Sequence, residues 1–226
     1  VDVAPGLVAV GLLVDGGVMH AGDERARESR DGLGRRVALK LCSANDEQLR
    51  QRFGREVELI AQLGHHPNIA AAYDIGYLEG APYLVEEYLP GEDLRHKIDR
   101  KDDLPAQTKV GWLLQIAKGL KFAHSKEIVH RDIKPENVRI SPTGHVKIID
   151  FGIGKAVSSE ATRLTMDGTI MGTLGYLAPE QLRGKADLRS DIFSFGVLAY
   201  EFLTYHHPFA ATSLREQFRV LMEDEP

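Results

Sequence analysis

The chain has 226 residues, 43% hydrophobic and 27% charged, which suits one or two compact domains with ordinary cores. Its formal net charge of -5 offers no basic footprint for nucleic acid, and no apolar run approaches the roughly 20 residues that span a bilayer. Cys42 is the single cysteine, so no internal disulfide can form and a reducing, cytoplasmic location is expected, with a membrane anchor in a longer native chain left open.

The N-terminal stretch Val1 to Val18 is apolar and glycine-rich but carries Asp2 and Asp15 and no basic flank, so it reads as an unusual strand pair rather than a signal peptide. Arg36 to Cys42 reads as a strand interrupted by Lys40. A helix is predicted from Asp46 to Leu63, with Ser43 or Asn45 as its cap and Leu49, Phe53, Val57, Ile60 and Leu63 on its inward stripe. Glu56 falls on the edge of that stripe. Strands are predicted at Ile69 to Tyr77 and Pro82 to Leu89, with a turn at Glu79-Gly80. Beyond a hinge near Glu87 to Gly91 the pattern turns helical. Pro105 opens a helix with Leu113, Ile116, Leu120 and Ala123 inward. A hairpin, Val138 to Ile140 and Val146 to Ile149, is joined by Ser141-Pro142-Thr143-Gly144. A polar segment follows, Gly154 to Gly172, then helices at Asp191 to Tyr205 and Ser213 to Met222. The histidine pairs His65-His66 and His206-His207 lack partners at metal-ligand spacing and read as loop residues.

The chemistry concentrates in His130 to Asn137 (HRDIKPEN) and in Asp150-Phe151-Gly152 after the hairpin. This order places Asp132, Asn137 and Asp150 at the ends of short strands, where three oxygen-bearing side chains suit hard cations and can orient a hydroxyl. Together with Ala38-Leu39-Lys40 before them, and Gly172-Thr173, Ala178-Pro179-Glu180 and Asp191 to Gly196 after them, these motifs resemble the Hanks-type protein kinase family, in its bacterial-like serine/threonine branch. The resemblance implies an α+β, two-lobed fold, with a small β-rich N-lobe bearing one helix and a larger helical C-lobe, apparently truncated. As one kinase domain over 1–226, the N-lobe would take 1–88, with a degenerate start over 1–30, and the C-lobe 89–226.

The resemblance also implies roles. Asp132 would take the proton of the acceptor hydroxyl or aim it at the γ-phosphate of ATP, and Lys134 would contact that phosphate. Thr173 would bridge Asp132 and Lys134. Asn137 and Asp150 would bind Mg2+, with Mn2+ as a substitute. Lys40, oriented by Glu56, would hold the α- and β-phosphates. The hinge backbone at Glu87 and Leu89 would pair with adenine, Asp93 would reach the ribose, and Ala38 and Arg139 would line the base pocket. Arg131 marks switching by a phosphorylated loop, with Thr165 the first choice over Thr162 and Thr169. Taken singly, Lys40 reads equally as an edge-strand lysine, Glu56 as a solvated helix charge, and the threonines as ordinary loop residues.

Four features depart from the family pattern. No register before Lys40 restores GxGxxG; Gly16-Gly17 and Gly22 are the nearest candidates, beside the charged Asp23 to Arg30. Glu86 stands where an apolar or threonine gatekeeper is usual, and is expected either to compete with Glu56 for Lys40 or to stay protonated. Arg139 replaces an apolar floor, with its aliphatic stem expected to serve instead. The chain also ends at Pro226, so Glu180 is expected to lack its arginine partner. The expected function is transfer of the γ-phosphate of ATP to a protein Ser/Thr hydroxyl, with self-association for autophosphorylation. The alternative is a pseudokinase that binds nucleotide or scaffolds without catalysis.

Overall fold

The computed structural model describes residues 28–30, 36–41, 60, 62–78, 81–151, 175–210, 216 and 219–220. Four strands, β1 (Glu28–Arg30), β2 (Arg36–Leu41), β3 (Ala72–Leu78) and β4 (Ala81–Glu87), form an antiparallel sheet in the order β1-β2-β4-β3. Glu28 to Arg30 pair with Ala38 to Arg36. A charged three-residue strand suits an outer edge, where polar side chains discourage pairing with other chains. Val37, Tyr83 and Val85 form a small apolar cluster in this sheet.

The strand expected from Ile69 begins only at Ala72. Its first residues are diverted: Ala70 N–H donates to the Ile148 carbonyl at 2.9 Å, and Ile148 N–H donates to the Asn68 carbonyl at 2.9 Å. A turn closes this diversion, with Ile69 N–H on the His66 carbonyl at 3.2 Å. Residues 68–70 thus tie the first sheet to a second one, β5 (Glu92–Asp93), β6 (Val138–Ile140) and β7 (Val146–Ile148), in that order. Of the helix expected to end at Leu63, residues 60, 62 and 63 are described and helical, with Ile60 and Leu63 buried.

Between hinge and main helices lie β5 and a six-residue helix, α1 (Leu94–Asp99), capped by Asp93. Both are too short for periodicity to reveal. Gly91 needs its missing side chain: its φ is 111° and a Cβ would lie 2.1 Å from the Ile140 carbonyl oxygen. Helix α2 (Ala106–His124) buries Leu113, Ile116, Leu120 and Ala123, the predicted stripe, together with Trp112. Leu113, Ile116 and Leu120 each contribute about 1.5–3 kcal/mol by leaving water. Helix α3 (Leu188–Thr204) starts at a capping box, Asp187 with Ser190, rather than at Asp191. Trp112 stacks on Phe202 with centroids 5.9 Å apart. The buried Lys109 donates to the Phe202 and Leu203 carbonyls at 3.2 and 3.4 Å, satisfying the end of α3. Glu180 has a partner after all: it accepts from the Ser190 hydroxyl at 2.7 Å. Among the described residues, no helix is long and apolar enough to cross a membrane.

Gly119 sets how closely α2 approaches the second sheet. A Cβ there would meet the Asn68 carbonyl oxygen and Ile148 Cδ1, both at 2.9 Å. In an exposed helix, alanine for glycine gains up to about 1 kcal/mol. At this position the sign reverses, and Gly119→Ala is expected to cost about 1–3 kcal/mol through overpacking. Urea unfolding measures it directly.

Candidate active site

The segment from Ile128 to Asn137 runs between α2 and β6 with Ile128, His130, Asp132 to Pro135 and Asn137 buried. His130 is fully buried. Its Nδ1 accepts from Asp132 N–H at 3.2 Å and its Nε2 faces the Ile149 carbonyl at 2.9 Å. The ring is therefore the neutral Nε2–H tautomer, bonding at both nitrogens and resting against Phe151 at 4.5 Å between centroids. Burial pushes the His130 pKa below its ordinary 6.5. Below pH 6.5 the unfolded chain takes up a proton that the fold refuses, so this contribution is complete above 6.5 and is lost as pH falls beneath it. The His130 Cε1–H resonance is accordingly expected to begin titrating only well below pH 6.5; a midpoint at or above that value would contradict the tautomer assigned here.

Asp191, at the start of α3, is buried and accepts three N–H groups. His130 N–H, Arg131 N–H and His124 Nε2–H each lie 2.8 Å from its carboxylate. These bonds hold a backbone that would not choose its shape: Arg131 has φ of 68°, in the left-handed region costly for a side-chain-bearing residue. Gln181 Nε2 adds a bond to the Arg131 carbonyl at 2.9 Å. The Arg131 Nε is buried with no hydrogen-bond partner among the described residues.

Held this way, Asp132, Lys134 and Asn137 converge. Asn137 Nδ2 donates to Asp132 Oδ2 at 3.0 Å and to its carbonyl at 2.8 Å. Lys134 Nζ lies 3.4 Å from the same Oδ2. All three side chains are buried. Asp150, also buried, follows β7 with φ of 59°. Its backbone neighbour Ile149 donates to the Asn137 carbonyl at 3.0 Å, which brings the two polar residues onto adjoining strand ends. With its Nδ2 spent on Asp132, Asn137 keeps its Oδ1 as an acceptor. An amide oxygen and a carboxylate make a hard-oxygen set that suits Mg2+. No group of three or more His, Cys, Asp or Glu side chains suited to a metal occurs among the described residues.

The hinge is equally determined. Glu87 N–H donates to the Ala71 carbonyl at 2.9 Å, and its Oε2 accepts from Ala71 N–H at 3.2 Å and Lys147 Nζ at 2.7 Å. The Arg139 guanidinium is not free in the floor of the pocket; it donates to the Leu89 carbonyl at 3.1 Å and to the Gly91 carbonyl. Asp93 caps α1 through Oδ1, which accepts from His96 N–H at 3.1 Å and meets His96 Nδ1 at 2.6 Å. Glu86 is buried at 5% exposure and pairs in register with Ala38, itself half-buried. Lys40 lies in β2 opposite Leu84. Its side chain, and Glu56, Gly152, Thr162, Thr165, Thr169, Gly172 and Thr173, lie outside the described residues.

Sequence reasoning did not assign roles to His130, Asp191, Gln181 or Lys147. The available signal for Asp191 was an acidic residue opening an otherwise apolar helix, where burial demands partners.

A model of the protein kinase domain matches residues 26–225. The serine/threonine-protein kinase PknL of Mycobacterium tuberculosis is 44% identical over 185 residues, covering 80% of this chain and 46% of the relative. The probable serine/threonine-protein kinase SCO3848 of Streptomyces coelicolor is 39% identical over 204 residues, covering 87% and 29%. The serine/threonine-protein kinase PknB of Mycobacterium leprae is 40% identical over 196 residues, covering 83% and 31%. The chain thus spans less than half the length of these relatives. With its catalytic segment, hinge and two-sheet frame in place, the chain belongs to the protein kinase domain family.

Proposed function

We propose that this chain transfers the γ-phosphate of ATP to a serine or threonine hydroxyl of a protein. The carrying observation is the buried cluster of Asp132, Lys134 and Asn137, set beside Asp150. The hydroxyl oxygen attacks the γ-phosphorus, the bond to the β-phosphate oxygen breaks, and ADP leaves with that electron pair. The hydroxyl proton passes to the Asp132 carboxylate. Lys134 balances charge on the phosphoryl oxygens, and Asn137 holds Asp132 in line through its amide. Asn137 Oδ1 and Asp150 would hold Mg2+, which when bound neutralises the phosphates.

On this reading Lys40 and Glu56 serve the α- and β-phosphates, and Glu87, Leu89, Ala38 and Arg139 frame the base. Asp93 reaches the ribose with Oδ2, since Oδ1 is spent on the cap. Thr173 bridges Asp132 and Lys134, and Arg131 awaits a phosphate on Thr165. A buried guanidinium Nε with no described partner fits that last role. Glu86 competes with Glu56 for Lys40 or stays protonated. Retention of Asp132, Asn137 and Asp150 favours catalysis over a purely binding module.

Incubation with γ-labelled Mg-ATP, followed by acid hydrolysis, tests the reading. Label is expected in phosphoserine or phosphothreonine; label confined to phosphotyrosine, or none above background, would overturn it.

A further inference from the structure

One charge cluster outside this site joins the catalytic segment to α1 and α3. Arg95, on α1, is its hub. Its Nε donates to Glu136 Oε1 at 3.1 Å, Nη1 to Glu201 Oε1 at 3.0 Å, and Nη2 to Glu201 Oε2 at 3.2 Å. Nη2 also meets the Tyr176 hydroxyl, which bonds Glu201 Oε2, and Nη1 reaches Asp99 at 3.4 Å. These partners come from distant parts of the chain. Glu136 sits between Asp132 and Asn137 in sequence, Tyr176 just before Ala178-Pro179-Glu180, and Glu201 on α3. Glu201 is nearly buried, whereas Glu136 keeps 43% of its side chain exposed. Glu136 Oε2 is buried without a hydrogen-bond partner among the described residues.

Two features make this more than a strut. The fork of one guanidinium across Glu201, with Nε on Glu136, shows that the carboxylate pair has the geometry arginine requires. Glu136 also directly precedes Asn137, whose amide donates to Asp132, where the acceptor hydroxyl would be held. An extended peptide advances about 3.3 Å per residue, so side chains close to the acceptor pass within reach of Glu136. A basic side chain there would find Glu136 Oε1 and both Glu201 oxygens already taken by Arg95.

We propose that Arg95 is a specificity-determining residue, an internal guanidinium that fills the Glu136–Glu201 pair and withholds it from arginine or lysine beside the acceptor. The substrate class is then proteins whose acceptor Ser/Thr is flanked by neutral or acidic residues. The inference rests on the phosphotransfer reading of Asp132. A strut alone would change stability when cut, and leave the choice of peptide untouched.

Peptides carrying one threonine, with arginine or alanine placed in turn at each of the four positions on either side, test this. The readout is the arginine-to-alanine ratio of kcat/KM within each protein, so partial loss of folded enzyme cancels. Wild type is expected to show ratios below about threefold throughout, and Arg95→Ala a ratio of about tenfold or more at one position, as a newly exposed carboxylate pair gains a charged partner. Arg95→Gln, which retains an amide donor, should show the same preference. Arg95→Ala with Glu201→Gln should lose it. Wild type already preferring arginine tenfold would overturn the masking while leaving phosphate transfer intact. So would flat ratios in both single variants.

Discussion

Replacing Asp191 with alanine is expected to lower phosphate transfer by about 10²-fold, although its carboxylate contacts no reacting group. Its two oxygens accept from His130 N–H, Arg131 N–H and His124 Nε2–H, each at 2.8 Å. Remove them, and the backbone N–H groups of His130 and of the left-handed Arg131 lose their acceptor. Each unsatisfied donor costs about 1–3 kcal/mol. The segment can escape that cost only by leaving the conformation that aims Asp132. Both stability and kcat should therefore fall, with KM for ATP changing less, because Glu87 is held through Ala71 and Lys147 rather than through Asp191. Asp191→Asn retains one carbonyl acceptor and should lose less on both counts. Urea unfolding alongside steady-state kinetics separates the two effects. Full activity in a destabilised Asp191→Ala protein would show that Arg131 does not need this anchor.

What could be read from the sequence depended on the range of the interaction concerned. The stripe Leu113, Ile116, Leu120 and Ala123 was visible because a long amphipathic helix repeats its signal, and all four residues are buried. The hairpin was visible through turn chemistry at Ser141 to Gly144, and Gly144 has φ of 78°. The HRDIKPEN segment sets Asp132, Lys134 and Asn137 close together in the chain itself. Elements whose reasons are non-local were not visible. The strand predicted from Ile69 loses its first residues because Asn68 and Ala70 pair with Ile148, nearly eighty residues further on. Helix α1 exists because Asp93 caps it and Leu94 and Ile98 are buried, too few positions to form a pattern. Arg139 looked like an odd floor residue; that its guanidinium is fastened to the hinge carbonyls follows from the pairing of β5 with β6, which no local feature predicts. No local pattern marks Arg95. Only the convergence of Glu136, Tyr176 and Glu201 gives it a meaning.

Asp132→Asn carries the other large expected effect. The substitution keeps size and hydrogen-bond reach, so Asn137 and Lys134 still find an oxygen, but it removes the carboxylate that takes the hydroxyl proton. Loss of a positioned base costs about 10²–10⁴-fold. Nucleotide affinity should hold, since the hinge contacts lie on Glu87 to Gly91 and do not involve Asp132. The most direct measurement is a single-turnover comparison of wild type and Asp132→Asn with γ-labelled Mg-ATP, with nucleotide binding followed by thermal shift in the same samples. The structure predicts equal shifts and a transfer rate at least about 10²-fold lower in the variant. Equal shifts with equal transfer rates would contradict the assignment of Asp132 as the proton acceptor, and with it the reading of this cluster as a phosphotransfer site.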